Sequence, residues 1–192
     1  MLKVVGDILL ALDSGNLALL SLLDLSAAFD TVNHDTLLRR LQTSYGLDGV
    51  VIKWFAPYLS SRTQHVRTPT TTSLPSLAAY GVPQGLLYVA DLLKLIKHRR
   101  LSPHAYADDT QIYGFCQLSD VNALADRVSA CFDEVSSWMQ AKRLQVDPSK
   151  IEVLWYASGR RQHQIPTSTV RIGCTYVLPV SSVRDLGVYI DF

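Results

Sequence analysis

Cysteine is scarce in this chain and badly placed for a covalent or metal framework. Cys116, Cys131 and Cys174 lie far apart and no Cys-x-x-Cys spacing occurs, which speaks against a zinc site and a disulfide scaffold. A reducing, intracellular setting follows, nucleus or cytoplasm rather than secretion. An excess of charge is also missing: 18 Lys and Arg stand against 17 Asp and Glu, so a net charge of +1 does not by itself indicate a polyanionic partner. The apolar run from Asn16 to Leu23 is bracketed by Asp13 and Asp24, lacks a basic leader, and is well short of the roughly twenty residues a membrane span needs. Neither a signal peptide nor a membrane partner is expected. No repeat, low-complexity tract or interdomain linker stands out, so residues 1–192 read as one domain. With 48% hydrophobic and 18% charged residues, the chain can bury a substantial core.

Leu17 to Leu23 is almost continuously apolar and ends on Asp24, as in a strand buried on both faces that delivers a carboxylate at its C-terminal edge, although a helix would also accept these leucines. Between Thr31 and Tyr45, Leu37, Leu38, Leu41 and Tyr45 recur at helical spacing behind two N-cap candidates, Thr31 and Asn33. Trp54, Phe55, Tyr58 and Leu59 form a second helical patch, expected to be interrupted by Pro57. Thr63 to Tyr80 reads as a hairpin with a polar loop, and Leu86 to Ile96 as a helix with Leu86, Val89, Leu93 and Ile96 on one side. The cluster Lys97 to Arg100 near its end suits the helix dipole. His104 to Tyr113 alternates like a tight β-hairpin around two aspartates, and a long amphipathic helix follows Asp120. Ile151 to Tyr156, Val170 to Val177 and Val183 to Ile190 read as closing strands.

Asp24, Asp108 and Asp109 are three carboxylates on two separated segments, the donor set that two-metal phosphoryl transfer requires. Magnesium prefers hard oxygen ligands, and a pair of ions can activate an attacking 3′-hydroxyl and stabilise leaving pyrophosphate. Adjacent aspartates at a turn point in different directions, so Asp108 would reach the metals and Asp109 would lie at their periphery. Each piece also has an ordinary reading: an aspartate closing an apolar run serves as a cap or loop residue, and Asp-Asp-Thr is a common turn sequence.

The strings Asp24-Leu25-Ser26-Ala27-Ala28-Phe29-Asp30, Gly81-Val82-Pro83-Gln84-Gly85 and Tyr106-Ala107-Asp108-Asp109 resemble, in that order, three motifs of reverse transcriptases from non-LTR (LINE-type) retrotransposons. The resemblance continues through Trp138 to Trp155, with Lys150 in a characteristic place, and to Val183-Arg184-Asp185-Leu186-Gly187-Val188. It implies an α+β polymerase palm: an antiparallel sheet around Asp24 and the Asp108 hairpin, backed by helices near Thr31 to Tyr45 and Asp120 to Gln140. It implies RNA-directed DNA synthesis with an RNA template, a DNA primer, deoxynucleoside triphosphates and two Mg2+ ions. Asp24, Asp108 and Asp109 would be the catalytic, metal-binding carboxylates. Phe29 would exclude a 2′-hydroxyl, and Gln84 and Gly85 would contact the template and the nascent base pair. Lys150 would stabilise or protonate pyrophosphate, and Asp30 would support local structure.

The sequence departs from the family after Gly85, where relatives carry a serine and a further apolar stretch. Roughly eight residues are missing there, which takes away roughly 12 Å of helix and turns the remaining face by roughly 80°. Met1 falls just before the first strand and the chain stops at Phe192, so fingers and thumb are expected to be incomplete. The rival expectation is a catalytically inactive retrotransposon remnant acting at most as a nucleic-acid or protein-binding module. A gene-model or splicing error at Gly85 in a longer, active protein is a third.

Overall fold

The computed structural model describes residues 2–26, 32–60, 62–78, 80–81, 90–106, 109–141, 145–146, 148–185 and 188–191. In chain order the elements are α1 (Leu2–Asp13), β1 (Leu17–Ser26), α2 (His34–Tyr45), α3 (Val50–Leu59), β2 (Thr63–Gln64), β3 (Ser76–Leu77) and α4 (Ala90–His98). There follow β4 (Ser102–Tyr106), β5 (Asp109–Cys116), α5 (Val121–Ala141), β6 (Gln145–Val146), β7 (Glu152–Tyr156), β8 (Val170–Ile172), β9 (Thr175–Val177), β10 (Ser182–Asp185) and β11 (Val188–Asp191). Mixed helices and antiparallel strands make this an α+β fold. The chain divides into two compact units, one of residues 1–26 and 89–192, the other of residues 27–88.

The first unit is built on an antiparallel sheet of order β4-β5-β1-β6, with β7 on β1 as well. As the apolar run predicts, β1 is central: Leu17, Ala18, Leu19, Leu20, Ser21 and Leu23 are all buried. Helix α1, which the motif-led reading passed over, carries Val4, Ile8 and Ala11 on its buried side. Val4 and Ile8 pack in one cluster with Ala18, Leu20, Tyr113, Leu154, Tyr156 and Val183. Gly15, left-handed at φ 76°, closes the helix with its N–H on the Leu12 carbonyl (2.9 Å) and turns the chain into β1.

On the opposite side α5 buries Leu124, Val128, Phe132, Val135 and Met139, the stripe expected from its periodicity. Gly114, across from Leu19, is where the helix comes closest. A Cβ there would lie 2.8 Å from Leu101 Cδ2 and 2.9 Å from Leu124 Cδ1. Arg99 pairs with Glu134 of α5, and Arg171 of β8 makes a two-point ion pair with Asp133 (2.9 and 2.7 Å). Solvent reaches both pairs and screens them, so neither is a main source of stability.

Tyr113 ties α1 to β5 by donating its hydroxyl to Asp7 (2.6 Å), which also accepts from Lys3 (2.6 Å). The Lys3 hydrogen bond, followed by that from Tyr113, holds the Asp7 carboxyl below its ordinary value. Burial, then the Asp7 contact, pushes the Tyr113 phenol well above its own. The Asp7 contribution is therefore present above the unfolded carboxyl pKa of about 4 and is lost as pH falls through its lower folded value. The Tyr113 contribution is complete below about pH 10 and is lost as pH rises through its raised folded value. Tyr113→Phe should remove the alkaline dependence and cost about 1–2 kcal/mol at neutral pH, as read by urea unfolding from pH 6 to about 11. An unchanged alkaline limb in that variant would contradict the assignment.

Three expectations are corrected. The segments Val170 to Val177 and Val183 to Ile190 are not single closing strands but two separate hairpins, β8-β9 and β10-β11, outside the main sheet. The left-handed Gly173 (φ 59°) reverses the first of them. Pro57 does not interrupt α3, because it falls in the last turn, where only one carbonyl loses its donor before Ser60 N–H closes the helix on Ala56 (2.9 Å). In α4, described from Ala90 on, Leu92 and Ile96 are the buried residues, and Leu93 is only half-buried. Leu86 and Val89 lie outside the described residues.

The second unit holds α2, α3 and the short β2-β3 pair. Asn33 caps α2 by accepting the Thr36 N–H (2.9 Å), and left-handed Gly46 ends it. Thr31, the other cap candidate, lies outside the described residues. Leu37, Leu41 and Leu59 are buried, and β2 and β3 are exposed along their length.

The three cysteines are free, with Cys116 and Cys131 buried and Cys174 exposed. Burial pushes the Cys131 thiol up to about 12 and raises Cys116 as well. One thiol per chain should therefore react with Ellman's reagent in native buffer at about pH 8, and all three in denaturant. Three reactive thiols in native buffer would contradict this packing. Among the described residues no helix is long and apolar enough to cross a membrane.

Candidate active site

Strand β1 pairs with β5 in one unbroken register, from Leu17 opposite Cys116 to Asp24 opposite Asp109. Strand β4 pairs with β5 on its other edge and sets Tyr106 opposite Asp109. Tyr106, Asp109 and Asp24 thus occupy one row across three strands. Directly opposed residues of antiparallel strands have Cβ atoms about 4.5–5.5 Å apart, and like charges at such positions repel. Carboxylate residues at two adjoining backbone positions are a donor chemistry that suits a hard divalent cation.

The other edge of β1 is irregular. Strand β7 pairs with Ala18 through Leu22, and β6 with Leu25 and Ser26. Between the pairs Leu22–Glu152 and Leu25–Val146, two residues of β1 face five residues of the partner segment. The excess is taken up by a 3-10 turn, Pro148–Lys150, alongside β1 at the level of Asp24. Lys150, expected near a strand start, is thus on this turn and exposed. The backbone of Asp24 lies between Asp109 on one edge and the Lys150 turn on the other.

Helix α1 packs on the cluster that includes Ala18, Leu20 and, at its margin, Leu22. Tyr106, at the end of the sheet beyond that cluster, is 61% exposed. Thr110 and Gln111, next to Asp109, are buried. Asp109 itself is half-buried, so the β4-β5 end of this row opens to solvent.

Of the residues singled out from sequence, the described structure brings together the Asp24 backbone, Asp109 and Lys150. Phe29, Gln84, Gly85 and Asp108, with Asp30, lie outside the described residues, as does the Asp24 side chain. Among the described residues no group of three His, Cys, Asp or Glu side chains is placed to hold a metal. Tyr106, to which the motif assigns no role, stands opposite Asp109. The signal was there in the spacing, since a two-residue connection between paired strands sets the residues on either side of it opposite each other.

No curated protein matches the chain. The sequence profile of one family, described as reverse transcriptase (RNA-dependent DNA polymerase), matches residues 8–190. That span runs from within α1 into β11 and takes in the whole carboxylate row. The chain belongs to the reverse transcriptase (RNA-dependent DNA polymerase) family.

Proposed function

We propose that this chain is the palm of an RNA-directed DNA polymerase of the non-LTR retrotransposon type, a single partial domain over residues 1–192, in which Asp24, Asp108 and Asp109 hold two Mg2+ ions. The observation that carries this reading is the register that sets Asp24 opposite Asp109 at the open end of the sheet. When bound, the two ions would activate a primer 3′-hydroxyl and neutralise the leaving pyrophosphate. The carboxylates orient the reacting groups by fixing where that charge sits. Lys150, on the turn beside Asp24, would meet the negative charge that builds on pyrophosphate, or return a proton to it. Phe29, five residues after Asp24, would close the space a 2′-hydroxyl needs, and Gln84 with Gly85 would support the templating base pair. Template RNA, primer DNA and deoxynucleoside triphosphates are the partners of this reading.

We further infer that the chain retains its metal site but does not extend a primer. Eight backbone pairs hold the register of β1 on β5. That pairing joins residues on either side of Gly85 and does not draw on the segment after it.

The test is thermal unfolding with and without Mg2+. Saturating Mg2+ at about a hundred times Kd should stabilise the chain by about 2.7 kcal/mol, a rise of several degrees in Tm. Asp24→Ala should abolish most of that rise. Equal stabilisation of both proteins by Mg2+ would overturn the metal site.

A further inference from the structure

The second unit carries a surface that the metal site does not use. On α3, Trp54 and Tyr58 stand one turn apart with their rings nearly parallel, 6° between planes and 5.9 Å between centroids. The Arg62 guanidinium continues the series over the Tyr58 ring, 5.8 Å from its centroid. Phe55 meets Trp54 edge-on at 5.1 Å and steadies the indole from the side. An i, i+4 aromatic pair is an ordinary helix contact, but here Trp54 is 64% and Tyr58 48% exposed.

Charge complements the rings. No aspartate or glutamate occurs between Asp48 and Asp91, in a chain that is otherwise evenly balanced. Lys53, Arg62, His65 and Arg67 all fall in that stretch. Exposed aromatic residues beside cations, in a stretch of sequence without carboxylates, match what single-stranded nucleic acid needs, since bases stack on rings while the backbone phosphates meet the cations. A protein partner would not require the absence of acidic residues. A duplex keeps its base faces stacked inside and could not use the indole.

We propose that Trp54, Tyr58 and Arg62 form a stacking ladder that binds single-stranded nucleic acid without sequence preference. The ladder lies wholly within the second unit and does not rest on the metal-site reading.

The experiment is fluorescence anisotropy of an end-labelled oligouridylate of roughly twenty nucleotides, without metal, for the full chain and its variants. The chain should bind it, and bind an oligothymidylate of the same length comparably, because the shared chemistry is a base face and a phosphate. Trp54→Ala should weaken binding roughly five- to a hundredfold, and Trp54→Phe, which keeps a ring, much less. Arg62→Gln should lower the slope of log K against log salt by about 0.7. Asp24→Ala should bind like the unmodified chain, so failure of the metal site and failure of the ladder are told apart. Equal binding by the unmodified chain and Trp54→Ala, preference for duplex, or self-association through this face without oligonucleotide binding would overturn the proposal.

Discussion

Supplied with an RNA template, an annealed DNA primer, deoxynucleoside triphosphates and Mg2+, the purified chain is expected to show no extension above an Asp108→Ala control. In polymerases of this kind the segment after Gly85 ties the residues under the templating base to the hairpin that carries the paired aspartates. The resemblance implies that about eight residues of the family's segment are lacking after Gly85, the equivalent of roughly 12 Å of helix and a turn of its face by roughly 80°. A misplacement of about 1 Å at a catalytic site is enough to cost about a hundredfold in rate, which is the ground for expecting no extension. The β1–β5 register and the core beneath it are built from residues on either side of that link. Metal binding should thus survive where polymerisation does not. Inserting a serine-led apolar segment of about eight residues between Gly85 and Leu86 should raise extension at least about a hundredfold. Clear extension by the unmodified chain, abolished by Asp108→Ala, would show that the shortening is tolerated.

Trp155→Ala should destabilise the fold by about 3–5 kcal/mol and lower Tm by roughly 10 °C. Trp155 is 1% exposed and sits opposite Leu19 on the edge of β1 that also bears the Lys150 turn. Its loss would leave a cavity beside the central strand, which Leu19, directly opposite and itself buried, cannot fill without strain. The indole Nε1 is buried with no hydrogen-bond partner among the described residues. Trp155→Phe, which deletes that unpaired donor and keeps an aromatic ring, should therefore cost less than half as much as alanine. Both variants are read by calorimetry or urea unfolding. A loss below about 1 kcal/mol in Trp155→Ala would contradict the placement of β7 against β1.

The β4-β5 hairpin and α5 were legible because their side chains repeat at the period of the structure they form, whereas β1 showed only as an unbroken apolar run that a helix could share. Leu17 to Leu23 has no polar interruption but Ser21, and Leu124, Val128, Phe132, Val135 and Met139 mark one helix face. Helix α1 was equally periodic in Val4, Ile8 and Ala11, but it precedes the motifs that held attention. The terminal hairpins were misread as single strands because alternation continues across a turn, and only Gly173 marked the first reversal. The pairing of Asp24 with Asp109 was not legible in advance. Periodicity says that Asp24 and Asp109 each end or begin a strand, but pairing register is set by the packing of whole strands against the core. The three-residue excess at Pro148–Lys150 is likewise a property of two strands together.

The central claim is that Asp24 and Asp109 serve one metal site. Mn2+ affinity, followed by the paramagnetic resonance of the free ion, tests it in a cycle of Asp24→Asn, Asp109→Asn and the double variant. A shared site predicts that either single substitution weakens binding at least about tenfold and that the second adds little to the first. Unchanged affinity in Asp24→Asn, or losses that simply add, would contradict it.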